Sequence, residues 1–548
     1  MEKIIVSQTS PANTQVMWVD ISNGDKQLKC YINGEWATVS ASTNNVLDLL
    51  SYGISWKPNV ADPVVTRVGN MTYHKTLPIQ NNMKGCIAQM VNGVEIMYYL
   101  DASDWRWRED ERNCILESQE LTVTGDVYTL TNDIFATYQY EAQWIKINNV
   151  ACQVISINTS TATATIKPDS AIDAGTYDIT FGAVLNGYDG EVMVLVPEFY
   201  IRSWDTDTQR EVRISPFRID SSWEYQPSIL VAAYHDTVLN TVPTNMGYLG
   251  RLSVNSAISV CNTNGYCRGG NNDTKLDAYL TTDKFRTHLG KPRGTLSVSD
   301  MRSNAIKAGK QLINYNQYKR ILYWLYCIEY ANFDCCATFN PALTSEGYHQ
   351  GGLGDGVTSI DTVDLLWYNS HGALTPNGYT NEFGNGTNTK AMTISMYRRT
   401  YTRYAIRWHG IENPFGDLLT TIYNIGVVST SDKYFVYDIN YYGSMRLITV
   451  LPRECDYYAD YSYNYNHYVK EWNLGDKADI FPRPGEGDAT KYKCAYCGIT
   501  DGGDICGFGG SARNSALGIG TSYHAVSDNT TETSQGARWG YRTVCEIY

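Results

Sequence analysis

The stretch Tyr404-Ala405-Ile406-Arg407-Trp408-His409-Gly410-Ile411-Glu412-Asn413-Pro414-Phe415-Gly416-Asp417 reads as a strand running into a tight turn. Pro414 fixes φ and pre-sets the turn, and Gly416 lets the backbone return sharply. Glu412 and Asn413, beside that turn, are expected to bond loop backbone groups. Downstream come Leu418-Leu419-Thr420-Thr421, Phe481-Pro482, Gly509-Gly510-Ser511 and Gly540-Tyr541-Arg542, with Gly536-Ala537-Arg538 as an alternative for the last element. Ala512 to Gln535 is rich in Ser, Thr, Asn and Gly, which marks a set of surface loops.

Upstream, Glu191-Val192-Met193-Val194-Leu195-Val196 is an apolar run ended by Pro197, as expected of a buried strand. Ile229-Leu230 leads into Val231-Ala232-Ala233-Tyr234, and a Gly/Asn-rich loop follows from Cys261 to Asp273. One long helix is predicted over Tyr315 to Tyr330, where Tyr318, Ile321, Leu322, Leu325 and Ile328 follow the i, i+3, i+4, i+7 rule. Lys319 and Arg320 fall on its opposite face. Two glycine-rich stretches, His349 to Asp361 and His371 to Asn388, lack the Lys-Ser/Thr and the strand–turn–helix setting of a phosphate cradle. They read as exposed loops on a scaffold, where binding residues are usually found.

Taken together, the Gly-Ile-Glu-Asn-Pro turn at 410–414, Gly509-Gly510-Ser511 and the closing Gly540-Tyr541-Arg542 resemble the C-type-lectin-like/formylglycine-generating superfamily, in the form carried by phage fibres. Val231-Ala232-Ala233-Tyr234 and the helix ending in Glu329-Tyr330 are similar to that family's strand and helix. The resemblance covers about 190–548. It implies an α+β scaffold that displays loops, with Glu412, Asn413, Pro414, Gly416, Gly509, Gly510, Gly540 and Arg542 as structural motif residues. Calcium and sugar ligation does not transfer, because Glu412-Asn413-Pro414 reverses the Pro-Asn order of calcium-dependent lectins. The family's enzymes place a reactive Cys pair just after the Gly-Gly-Ser element. Ser511 to Gly518 here contains no Cys, and a thiolate has no substitute among these groups. The chain is therefore expected not to be an enzyme, and no cofactor or metal is assigned.

The first 45 residues read as a β-meander, with Met17-Trp18-Val19-Asp20-Ile21 and Leu28-Lys29-Cys30-Tyr31-Ile32 flanking Asn23-Gly24, and Asn33-Gly34 before Glu35-Trp36. This resembles the short modules that fix phage fibres to the particle. Residues 46–118 form a β-rich linker in which Trp105-Arg106-Trp107-Arg108 is expected as a cation–π ladder on an edge strand. From Leu121 to Phe181 apolar and polar residues alternate, in Leu121-Thr122-Val123-Thr124, Trp144-Ile145-Lys146-Ile147, Ala162 to Ile166 and Tyr177 to Phe181. That pattern over 119–189 predicts an immunoglobulin-like β-sandwich spacer. The fold class expected is mainly β, with an α+β lectin-like domain over 190–548.

Composition agrees with a displayed, folded protein. The 548 residues suffice for several domains, and 43% hydrophobic with 18% charged residues is not the make-up of a disordered tail. A net charge of -13 opposes nucleic-acid binding, which needs clustered Lys and Arg. Tyr, with 43 copies against 12 Phe and 13 Trp, serves contact surfaces and equally packs sheets and subunit interfaces. No apolar run is long enough to span a bilayer, and Met1 to Val6 leads into polar sequence with no signal-peptide pattern. The 14 Cys have no regular framework and read as buried thiols. Cys494-x-x-Cys497 lacks a second such pair or a following His at zinc spacing. Carboxylate pairs such as Asp355 with Asp361, or Glu454 near Asp456, are as frequent as chance gives in an acidic chain.

These readings converge on a structural fibre or decoration protein of a tailed-phage virion, assembled in the host cytoplasm. It most resembles fibres of phages of gut Bacteroidetes, including the crAss-like group. A head fibre is favoured over a tail-fibre receptor-binding protein, and a capsule depolymerase stands third. Expected partners are further copies of the chain (trimer first, dimer second), virion proteins at the N-terminus, and a host-surface glycan or protein. Candidate binding residues on the loops are Tyr348, His349, Asp355, Asn377, Tyr379, Asn385, Arg513, Asn514, Tyr523 and His524. The competing reading is that these domains only decorate the shell.

Overall fold

The computed structural model describes residues 4–7, 17–20, 27–32, 35–38, 43–58, 60, 63–112, 114–136, 143–239, 247–261, 290, 292, 296, 298–354, 356–357, 374–396, 399–422, 424–439, 445–452, 468–474, 478–485, 506–508 and 539–547. It is mainly β, built from several sheets with few helices.

The N-terminal strands Met17–Asp20, Gln27–Ile32 and Glu35–Thr38 pair antiparallel in sequence order, as a meander does. Ile4–Ser7 adds to Met17–Asp20 in parallel, so the sheet has four strands and is not a pure meander.

Residues 115–181 close on themselves. Ile115–Thr124, Val127–Thr131, Trp144–Ile147, Val150–Asn158, Thr163–Pro168 and Gly175–Phe181 form a six-stranded antiparallel barrel. The alternation expected there is present: Ile145 and Ile147 point inward with Leu121, Leu130, Cys152, Ala164, Ile166 and Ile179, while Trp144 and Lys146 stay part-exposed. The immunoglobulin-like sandwich is corrected to this barrel. Ile115–Thr124 pairs on one side with Val127–Thr131 and on the other with Gly175–Phe181, so no open edge separates two sheets. Period-two alternation is common to both architectures, since each buries one face of every strand. At the tight turn between Ile147 and Val150, Asn148 and Asn149 both take positive φ (49° and 63°), as a two-residue primed turn requires.

The barrel is an insertion in a larger unit. Phe181 N–H donates to Cys114 O (2.8 Å) and Ala183 N–H to Arg106 O (2.9 Å), which brings its two ends together. Chain on both sides of it shares two sheets. One runs Gln311–Leu312, Thr543–Glu546, Ile229–Ala232, Glu191–Val196, Lys84–Gln89 and Glu95–Tyr99. The other runs Glu224–Gln226, Phe199–Asp205, Arg210–Ser215, Tyr52–Trp56 and Thr66–Gly69. The separate linker domain over 46–118, and the boundary near 190, are therefore corrected: Lys84–Gln89 pairs with Glu191–Val196, and Tyr52–Trp56 with Arg210–Ser215. A single apolar core links Tyr52, Trp105, Val194, Leu325, Trp408 and Val544.

The predicted helix is present but not as drawn. Asn316–Tyr323 winds as a π-helix and continues as the α-helix Trp324–Tyr330, which stops where Ala331 takes φ 49°. Its polar face is not in water. Lys319 and Arg320 are buried, Lys319 over the Tyr323 ring (4.7 Å) and Arg320 paired with Glu224 (2.6 Å). Each buried Leu or Ile of the helix contributes about 1.5–3 kcal/mol.

Trp105 to Arg108 is a turn instead of an edge strand, and its rings and cations reach other elements. Arg106 lies over Trp144 (4.6 Å), Arg108 over Tyr98 (3.9 Å) and Lys146 over Trp107 (4.1 Å). The first and last of these contacts fasten the barrel to the larger unit. Cys335 and Cys336 remain thiols, their sulfurs 3.8 Å apart. Cys494 and Cys497 lie outside the described residues. No helix among the described residues is long and apolar enough to cross a membrane.

Candidate functional site

The strand Arg399–Trp408 turns through His409 and Gly410, both at positive φ, and pairs back through Ile411–Glu412. This return buries Glu412 and aims its carboxylate at the loop before the strand. One oxygen accepts from Gly378 N–H (3.0 Å); the other accepts from Thr380 N–H (2.9 Å) and Thr380 Oγ1 (2.7 Å). Burial raises the Glu412 pKa against the pull of those donors. Gly378 has to be glycine: φ is 85°, and a Cβ would lie 2.4 Å from Cys261 Sγ.

Two buried arginines complete the frame. Arg407 stacks on Trp105 (3.7 Å) and donates to Gly384 O (2.5 Å), with a longer bond to Thr380 Oγ1 (3.3 Å). Arg542 donates to Ala232 O (2.6 Å) and Glu412 O (2.7 Å), tying the last strands to the turn. Burial brings both guanidinium groups down to about 10, which leaves them charged at neutral pH. Asn413 Oδ1 accepts from Ile406 N–H (2.9 Å), Pro414 O accepts from Tyr318 OH (3.2 Å), and Gly416 O meets His235 Nε2 (3.2 Å). Gly540 lies against Leu418, whose Cδ1 would be 2.3 Å from an added Cβ. The stretch Leu418 to Thr421 is thus packed floor, with Leu418, Thr420 and Thr421 buried.

The loop so held forms one wall of a cleft of about 490 Å³. Its residues there are Asn377, Tyr379, Asn381 and Glu382, with Lys390 on the following strand. The facing wall belongs to the barrel: Gln143 and Trp144 at the start of one strand, Gln153 on its neighbour, and Arg106 from the fastening turn. Lys390 lies over the Tyr379 ring (4.4 Å) and bonds Tyr379 O (3.0 Å) and Glu382 Oε2 (2.7 Å). Arg106 pairs with Asp104 (2.8 Å) and Asp169 (3.7 Å), so both cations of the cleft are matched by carboxylates. The Gln143 amide nitrogen is buried without a hydrogen-bond partner among the described residues, an arrangement that normally costs stability.

Of the candidate residues, Asn377 and Tyr379 line this cleft. Asn377 is itself largely structural, donating to His235 O (3.0 Å) and Val260 O (3.2 Å). Asn385 is a brace: Oδ1 accepts from Trp105 Nε1 (2.9 Å) and Gly85 N–H (2.9 Å). Tyr348 and His349 are not in the cleft. Tyr348 sits between Arg67 (4.8 Å) and Lys75 (5.3 Å), and His349 Nδ1 meets Glu329 Oε1 (2.8 Å). The same buried carboxylate takes His409 Nε2 (2.9 Å) and Trp408 Nε1 (3.0 Å). Burial would raise the Glu329 pKa, but His409 and His349 bring it to about 2. Asp355, Arg513, Asn514, Tyr523, His524, Gly509 and Gly510 lie outside the described residues, as do Asp361, Glu454 and Asp456.

Sequence reading missed the barrel's wall. Trp144 carried a usable signal: with Ile145 and Ile147 inward, it has to face outward, and an outward Trp on a strand marks a contact surface.

A scan against protein-family models, a search of curated proteins and a search of solved structures return no match to this chain.

Proposed function

We propose that this chain is a fibre or decoration protein of a tailed-phage virion, a head fibre in preference to a tail fibre, that presents a lectin-like surface for contact with the host. The observation that carries the reading is the Glu412 frame. Two of the three motifs behind the resemblance meet here: Arg542 bonds the Glu412 carbonyl, and the Glu412 carboxylate bonds the loop bearing Tyr379. A scaffold that buries charge to hold a loop against a cleft is suited to recognition. In this reading the four-stranded N-terminal sheet attaches to other virion proteins, and further copies of the chain complete the fibre as a trimer or, second, a dimer. The reading assigns it no chemistry.

Two measurements test it. Antibody against residues 1–45 and against the barrel, applied to purified particles, should label the capsid shell; label confined to the tail would favour the tail-fibre alternative. The fluorescently tagged full chain should be retained on host cells. Retention on no strain that the phage infects would leave decoration alone as the role.

A further inference from the structure

We infer that the cleft between the barrel and the 376–390 loop binds a neutral saccharide, the exposed end of a surface polysaccharide; this rests on the display reading above. Size comes first. About 490 Å³ falls within the range of small-ligand sites and is too confined for a folded partner. Chemistry narrows the class. Trp144 and Tyr379 bring aromatic rings to opposite walls, one face of each covered by Arg106 and Lys390 respectively; an uncovered ring face is the kind of surface on which the C–H face of a sugar ring packs. Gln143 and Gln153 add amides, which offer the paired donors and acceptors that vicinal hydroxyls need. Charge argues for neutrality. Lys390 is bonded to Glu382, and Arg106 to Asp104 and Asp169, so among the described residues of the cleft no cation is left over for a phosphate or carboxylate. The buried Gln143 amide nitrogen lacks a partner among the described residues, and a ligand hydroxyl or carbonyl in the cleft would supply one.

The geometry also assigns the barrel a part in recognition. It is an insertion whose Gln153 and Trp144 form half of the cleft, so the site exists only when the barrel is seated on the larger unit.

The test uses the full chain and oligosaccharides released from host capsular polysaccharide and lipopolysaccharide by mild acid. Binding should quench tryptophan fluorescence, through Trp144. Gln153→Ala, at an exposed strand position, and Tyr379→Ala should each weaken binding about tenfold or more, with the Gln153→Ala melting temperature unchanged. Saccharide binding that neither variant alters would overturn the cleft as the site and leave the display reading standing. Retention on cells without binding of any released saccharide would overturn the ligand class alone. Neither cell retention nor saccharide binding would remove both.

Discussion

The barrel draws all its strands from one continuous stretch of chain, residues 115–181, and among the described residues its buried interior consists of aliphatic side chains, one Phe and one Cys. The larger unit does neither. Its six-stranded sheet joins segments from Lys84 to Glu546, and its interior holds ions: Lys310 bonds Glu191 (2.5 Å) and Asp236 (3.2 Å), all three without solvent exposure. Asp236 in turn accepts from Thr543 N–H (2.6 Å), and Glu191 from Ser259 N–H (2.8 Å). Burial opposes the Lys310 charge, yet Asp236 and Glu191 lift its pKa above the ordinary lysine value. The barrel is stabilised by short-range alternation, the larger unit by specific long-range polar pairing. The second is less tolerant of change, because a buried ion stripped of its partner cannot reach water.

That contrast can be broken by experiment. The largest effect is expected from Leu325→Asp, which sets a carboxylate in the fully buried helix at a cost of several kcal/mol. Hydrogen exchange should show loss of protection throughout the larger unit, and soluble, protease-resistant protein would contradict the helix placement. Lys310→Met should cost about 3–5 kcal/mol in denaturant unfolding, since Glu191 and Asp236 would be left buried together. Protection within 115–181 should change far less than in the sheets; equal loss in both would mean the two regions do not differ in this way.

Acid should separate them as well. Burial lowers the His74 pKa to about 4 and that of His235 to about 3, so both imidazoles are neutral in the fold. Below about pH 6.5 the unfolded chain takes up protons there that the folded chain does not, and stability falls with falling pH. His74 alone accounts for about 3 kcal/mol by the time pH reaches 4. Glu329, held at about 2, adds a loss in the same direction between about pH 4.5 and 2. Exchange measured from pH 7 to 4 should show the larger unit opening first, and His74→Gln should flatten its decline. The smallest effect is expected from Ile145→Val in the barrel, about 0.5–1.5 kcal/mol, read as faster exchange confined to 115–181.

The same contrast decides what was legible in the sequence. The inward Ile145 and Ile147 and the outward Trp144 follow from alternation alone, because a strand's two faces are encoded residue by residue. Barrel closure is not encoded locally; it depends on Ile115–Thr124 finding both of its neighbours. The helix was visible in the spacing of Tyr318, Leu322 and Leu325. Burial of Lys319 and Arg320 was not, since the Arg320 partner, Glu224, comes from a strand far away in the sequence. The Glu412 turn could be read as a bonding site, but its acceptors' partners, Gly378 and Thr380, could not be named. The cleft shows the same limit: Tyr379 sat in a suspect loop, whereas Gln153 acquires meaning only once the barrel is placed opposite it.

The strand Thr543–Glu546 slots between Gln311–Leu312 and Ile229–Ala232, with Val544 opposite Val231. On a translating ribosome, the edge at Val231 therefore waits for that closing strand through about 15 to 60 seconds of synthesis, at roughly 5–20 residues per second. During this interval the nascent sheet offers an unpaired apolar border to any neighbouring polypeptide. Yield from a heterologous host should accordingly depend on chaperone supply and growth temperature, and a stop codon ahead of Thr543 should send the product into inclusion bodies.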